Sequence, residues 1–380
     1  MKSVYLDNAA TTQIDPEVIE AMTEVLSDCY GNPSSSHGFG RKAKARIETS
    51  RRQVADTLNA SPAEIFFTSG GTEADNMAIC CAVRDLGVTR IITSALEHHA
   101  VLHTAESEAE GGVELNLVNI TENGHINVDH LEELLAANDK KTLVSLMHGN
   151  NEIGNLTDLG QISSVCRKHG AYFHSDTVQT MTHYAMDLQD LDIDFITCSA
   201  HKFHGPKGIG FLYVNSNVQI KPLIHGGAQE RNMRGGTENI YGIVALAKAM
   251  EVAYRDMDGH HAHVQGLKTY MINELRSLIP GMEFNGDAEG QSLYTVLNCS
   301  FPVTPIAEML LFNLDIMGIS ASGGSACTSG SNVGSHVLTA LGSDPERPAI
   351  RFSFSKFTSK EDIDAALKCV GKLFSMENVG

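Results

Sequence analysis

Lys202 lies in a small, His-flanked run, with His201 before it and His204, Gly205 and Gly208 after it, between the apolar segments 193–196 and 209–214. A lysine held between two strand-like runs is desolvated, its pKa falls, and its amine becomes nucleophilic enough to form a Schiff base. A structural loop lysine would occupy the same setting. Asp176 stands 26 residues upstream, just behind the short β-type run 171–173. A carboxylate at the end of a buried strand is costly to keep ionised unless a cation meets it. Its other reading is a cap on a following helix. The turn Thr-Ser-Gly-Gly-Thr at 68–72 joins a strand over 65–68 to a helix from 72 onward. Glycines let the backbone approach an anion there, and a helix N-terminus offers free N–H groups and a favourable dipole. The turn matches neither a P-loop nor a GxGxxG fingerprint, and alone it would pass for a well-capped helix start.

One cofactor would use all three features. Pyridoxal 5'-phosphate carries a carbonyl for the lysine, a ring nitrogen that an aspartate keeps protonated, and a phosphate for the glycine turn. Gln179 could then donate to its phenolate oxygen, while Gly71 and Thr72 cradle the phosphate. Glycine turn, Asp and Lys in this order and at these separations resemble the pyridoxal-phosphate enzymes of the class V aminotransferase family. The resemblance is closest to the cysteine desulfurases of the NifS/IscS group. It runs from the Tyr-Leu-Asp-Asn-Ala-Ala-Thr-Thr stretch at 5–12 to the Ile-Arg-Phe-Ser stretch at 350–353. It implies a fold-type I α/β protein, with a mainly parallel seven-stranded sheet in a large domain over 13–257. A smaller α+β domain would comprise 1–12 with 258–380.

Further residues follow from the resemblance. His98, in Glu-His-His-Ala-Val-Leu at 97–102, would stack on the cofactor ring and act as acid/base, whereas His99 would not. Asn151, the second Asn of the run at 150–151, would contact the phenolate oxygen and the substrate. Asn32, in Gly-Asn-Pro-Ser-Ser-Ser-His at 31–37, would lie near the substrate carboxylate. Ser199, His201 and Thr72 would bind phosphate, with Thr237 reaching across a homodimer to the partner's phosphate. The Thr237 loop departs from the family's pattern only in having Gly235 as the small residue before its second glycine.

Arg351 interrupts the apolar run around 349–354 and needs a carboxylate for its planar fork. A buried Asp or Glu would serve, and the resemblance favours the α-carboxylate of an amino-acid substrate. Residues 322–331 contain four Ser and three Gly around Cys327. That composition cannot pack a core and reads as an exposed, mobile loop. The other seven cysteines sit mostly in apolar runs, as buried thiols do. Cys327 therefore reads as a nucleophile that travels between cofactor and acceptor. The loop resembles the long group I type, with Gly324 as a departure.

The activity implied is removal of sulfur from L-cysteine, leaving alanine and a persulfide on Cys327. The sulfur would pass to an acceptor protein for iron–sulfur assembly or tRNA thiolation. A selenocysteine lyase or another class V aminotransferase or lyase is the alternative, and a sulfur-relay docking protein without the chemistry would not need Lys202, Asp176 and Arg351 together. Net charge of -18 argues against direct nucleic-acid binding. Unpatterned cysteines point to a reducing, cytoplasmic setting, and no apolar run suits a membrane or a signal peptide. No metal site is expected despite 17 histidines, because no His-x-x-x-His pair reads as helical. Helices are expected over 15–26 and 40–58, the charged stretch 41–52 as a solvated face, and 256–263 as an exposed hinge. Strands are expected near 65–68, 90–93, 114–118, 142–147, 171–174, 194–197 and 209–214, alternating with helices as in a parallel α/β sheet.

Overall fold

The computed structural model describes residues 3–323 and 334–376. Its strands are β1 (Val4–Tyr5), β2 (Ile65–Thr68), β3 (Arg90–Ser94), β4 (Glu114–Val118), β5 (Thr142–Ser145), β6 (Tyr172–Asp176), β7 (Phe195–Ser199), β8 (Gly210–Val214), β9 (Glu283–Phe284), β10 (Val296–Ser300), β11 (Ile319–Ser320) and β12 (Ala349–Ser353). The helices are α1 (Pro16–Asp28), α2 (Gly38–Thr57), α3 (Gly71–Leu86), α4 (His99–Glu110), α5 (Val128–Ala136), α6 (Leu159–Lys168), α7 (Ile240–Arg255), α8 (Met257–Leu278), α9 (Leu310–Ile316), α10 (His336–Leu341) and α11 (Lys360–Met376). No helix among the described residues is long and apolar enough to cross a membrane.

A seven-stranded sheet in the order β2-β8-β7-β6-β5-β3-β4 forms the centre, with β8 alone running against the rest. Strands β2, β3, β5, β7 and β8 are apolar on both faces, because helices cover both. Phe66, Ile91, Leu143, Phe195 and Leu212 pack with Met77 of α3 and Val101 of α4. Their neighbours Phe67, Ile92, Val144, Ile196 and Phe211 point the other way, onto α1, α2, α6 and α7. This period-2 switching sets the register of every strand. Because six strands run in parallel, their C-terminal ends open on one edge, where such sheets place ligands.

A second cluster joins the two ends of the chain. Val4 and Leu6 pack with Leu267, Met271, Leu297, Ile350, Phe352 and Val370. β1 pairs with β11, and β10 lies between β9 and β12. From there the N-terminal segment runs directly to the sheet edge.

Two expectations are corrected. The stretch 256–263 is largely exposed, as expected, but it is no hinge, since Met257 begins the 22-residue α8. The rings of His260 and His261 pack on Tyr294, with centroids 5.7 and 4.5 Å away. Tertiary packing there overrides a glycine-containing, helix-poor composition. The face at 41–52 is not wholly solvated either. Arg51 is 2% exposed, stands 4.7 Å from the Phe67 ring, and makes two bonds to Glu230, at 2.6 and 2.8 Å. A charged helix face thus buries one planar cation because a carboxylate 179 positions away meets it.

Candidate active site

A cavity of about 260 Å³ opens at the C-terminal edge of the sheet. Gly71 and Thr72, at the first turn of α3, form one wall. Ser199, His201 and Lys202 enter it from the short turn after β7, Asp176 and Gln179 from the end of β6, and His98 from the start of α4. Asn151 and Arg351 close the far side. Ten of the residues singled out in the sequence therefore share one cavity.

Local chemistry explains each placement. Gly70, at φ 154, turns the chain sharply into α3. A Cβ on Gly71 would stand 2.8 Å from Val178 Cγ2, so only glycine leaves this wall open. Lys202 Nζ donates to the carbonyls of Ala9 and Ala10, at 2.6 and 3.0 Å, which pins the amine beside the N-terminal segment. His98 is the N-cap of α4, its Nδ1 accepting from Ala100 N–H at 3.1 Å. Asp176 caps no helix; its Oδ1 accepts from Val178 N–H in a turn. Gln179, expected to donate to a cofactor oxygen, donates through Nε2 to Ala9 O at 2.9 Å.

The cavity floor is acidic and buried. Burial, then the negative charge of Asp75, pushes Asp176 up to about 7. Burial pushes Asp75 up to about 7 as well, and its Oδ1 accepts no well-formed hydrogen bond, with His174 Nε2 3.4 Å away. His174 stands between them, with Nδ1 2.8 Å from Ser145 Oγ and Nε2 3.1 Å from Thr197 Oγ1. Burial, reinforced by the Lys202 charge, pushes His98 down to about 4, so the ring is neutral at pH 7.

A pH dependence of stability follows. His98, His148, His174, His201, His204 and His260 are all pushed down to about 4, and His183 to about 3, burial being the first cause each time. Between pH 6.5 and about 4 the unfolded chain binds protons at these groups and the folded chain does not, so folding weakens as pH falls. Asp75 and Asp176 work oppositely, since their raised pKa values stabilise the fold at lower pH. Glu97 and Asp194, also raised, join them, but the histidines outnumber these carboxylates. Calorimetry should find the melting midpoint at least about 5 °C lower at pH 5 than at pH 7. A higher midpoint at pH 5 would contradict the histidine burial.

Two of the expected site residues stand elsewhere. Asn32 does not line the cavity; it sits on an exposed loop, with Oδ1 accepting from Ser34 N–H. Thr237 is exposed beside Arg234 and Glu238 in a separate hollow. Cys327 lies outside the described residues. The histidine reading needs one correction. His99 and His103 do form a His-x-x-x-His pair on α4, with rings stacked 4.7 Å apart. The pair was illegible because α4 starts on a histidine cap rather than the usual Ser, Thr, Asp or Asn. No group of three or more His, Cys, Asp or Glu among the described residues is arranged to hold a metal ion.

The model of the family "Aminotransferase class-V" matches residues 4–366. The chain belongs to the class-V aminotransferase family. Within it the chain is 42% identical over 376 residues to the "Putative cysteine desulfurase IscS 1" of Bacillus subtilis (strain 168), covering 97% of this chain and 98% of that one. It is 41% identical over 377 residues to the cysteine desulfurase IscS of Methanosarcina thermophila, covering 98% and 92%. A solved NifS-like protein superposes with a TM-score of 0.91 at 36% identity, over 99% of this chain and all of that one. "SspA in complex with cysteine" superposes with a TM-score of 0.81 at 33% identity, over 94% of this chain. The architecture is that of fold-type I enzymes, as expected from the sequence.

In this class-V family member the protein carboxylate left open for Arg351 in the sequence is present, as Nη2 donates to Asp7 Oδ1 at 2.8 Å and Nη1 to Asn151 O at 2.9 Å. Its Nε is buried without a partner. Asp75 was overlooked because it hides on the buried face of α3 beside Ala74 and Ala78. An ionisable residue on a helix face otherwise made of Ala, Met, Ile and Cys was the available signal.

Proposed function

We propose that this protein is a pyridoxal-phosphate-dependent cysteine desulfurase, which removes sulfur from L-cysteine and holds it as a persulfide on Cys327. The convergence of Lys202, Asp176, the Gly71 turn and Arg351 on one cavity carries the reading. Relatives named cysteine desulfurase over nearly the full chain support it. The buried thiols support Cys327 in turn. Burial pushes Cys80 up to about 12 and Cys81 to about 11, and raises Cys166, Cys198 and Cys299, which leaves them poor nucleophiles.

The cavity fits the cofactor on its own chemistry. The buried carboxyls of Asp75 and Asp176, both pushed up to about 7, gain from a cation beside them. The α3 N-terminus and the open wall at Gly71 suit a phosphate. When bound there, pyridoxal phosphate supplies an electron sink for the Cα–H and Cβ–S bonds of the substrate. Lys202 Nζ would hold the cofactor and then take the Cα proton. Asp176 would keep the ring nitrogen protonated, and Asn151 would orient the phenolate side. Thr72, Ser199 and His201 would bind the phosphate, joined by Thr237 from the other subunit of a homodimer. Neutral His98 accepts the substrate thiol proton, and Arg351 binds the α-carboxylate. Cys327 thiolate would form an S–S bond as the Cβ–S bond breaks; Cβ would take one proton and Cα would take back the proton that Lys202 removed, so that alanine leaves. Sulfur is oxidised as carbon is reduced, and no outside oxidant is needed. A cytoplasmic setting, which keeps thiols reduced, suits this chemistry.

With L-cysteine and dithiothreitol, alanine and sulfide should appear in equal amounts. Mercaptopyruvate in place of alanine would identify a transaminase instead.

A further inference from the structure

The helix α9 is apolar on two faces. Leu310 and Leu314 are buried on the inner one, in the cluster shared with α11. On the outer side Met309, Phe312 and Ile316 follow one another at helical spacing and are 48%, 55% and 64% exposed, with Val303 just upstream at 62%. Asn313 and Asp315 are the polar residues of α9, and Phe312 and Ile316 face solvent beside them. Four large exposed apolar side chains within 14 residues form a patch of the kind that marks an interface.

The surroundings specify what would cover it. Between Arg276 and Arg347 the chain has no lysine or arginine, against seven acidic residues, two of which, Glu308 and Asp315, are exposed on the patch itself. A second copy of this chain would set these acids against their own kind, and RNA would be repelled. A protein with an apolar centre and a rim of Lys or Arg is complementary. The position gives the contact a purpose. A Cβ built on Gly323 would lie 3.5 Å from Leu311 Cδ2 of α9. Cys327 is four residues further on, within a reach of about 14 Å. On its other side the same segment is tied to the cavity, since Arg351 N–H donates to Ser322 O at 2.7 Å.

Resting on the desulfurase reading above, we propose that the outer face of residues 303–316 is the docking surface for the sulfur acceptor, a protein presenting an apolar patch ringed by basic residues. Docking there would bring the acceptor's thiol within range of Cys327.

The test loads the holoenzyme with 35S-cysteine and follows label transfer to two purified proteins of the source organism, its iron–sulfur scaffold protein and its tRNA-thiolation protein. Dithiothreitol serves as the small acceptor. Phe312→Ser/Ile316→Ser should lower transfer to at least one of the two proteins by about tenfold or more. Glu308→Lys/Asp315→Lys should lower it and weaken its dependence on salt. Alanine formation with dithiothreitol should stay unchanged in both variants, as should the mass of the native assembly. Equal transfer by wild type and variants, or none to either protein while dithiothreitol is served normally, would overturn the docking surface alone. So would a change in oligomeric mass, which would make the patch a contact between copies. Absence of alanine from the wild type would instead sink the desulfurase reading, and this surface with it.

Discussion

Lys202→Ala is expected to lower the rate of alanine formation by about a thousandfold or more. The amine is held by the carbonyls of Ala9 and Ala10 at the mouth of the cavity, and no other lysine lines that wall. One side chain is therefore asked both to hold the cofactor and to move the Cα proton. Removing it takes a donor from the Ala10 carbonyl, while Gln179 still donates to Ala9 O, a stability cost of about 1–3 kcal/mol at most, so the variant should fold. Borohydride treatment should fix the cofactor to the peptide containing residue 202 in the wild type and to none in the variant. Full turnover by a folded Lys202→Ala protein would remove the lysine from the mechanism.

Arg351→Ala should cut kcat/KM for L-cysteine by about 2–5 kcal/mol, roughly 30-fold to several thousandfold, mainly through KM. The guanidinium is 1% exposed and its Nε has no partner, so a substrate carboxylate would satisfy a donor left idle in a buried place. The loss has a structural component, because Asp7 would be left facing an empty site. Asp7→Asn in the same background separates the two effects. The double variant should recover the melting temperature and leave KM high. Cysteamine, which has no carboxylate, should bind wild type and Arg351→Ala alike. A double variant with normal KM would mean that Arg351 serves only to hold the N-terminal segment.

The parts of this site that could be read from sequence are those where a residue contradicts its neighbourhood. Lys202 between two strands, paired glycines before a helix, and Arg351 within an apolar run each break a local rule and advertise a ligand. The sheet was legible because β2, β3, β5, β7 and β8 are apolar on both faces, which only two covering layers of helix permit. What could not be read were partners brought together by the fold. Asp7 lies 344 positions from Arg351, and Glu230 lies 179 from Arg51. Nothing in the local pattern of either carboxylate names its cation. Gln179 shows the converse limit, for the right residue reaches the cavity while its amide nitrogen is engaged by Ala9 O.

The central claim is tested most directly by weighing the peptide that contains Cys327 after incubation with L-cysteine in the absence of reductant, while alanine is measured in the same sample. The account predicts that peptide one sulfur atom heavier, with one alanine formed for each sulfur retained. Alanine released with Cys327 unchanged, or with the extra sulfur on another cysteine, would contradict it.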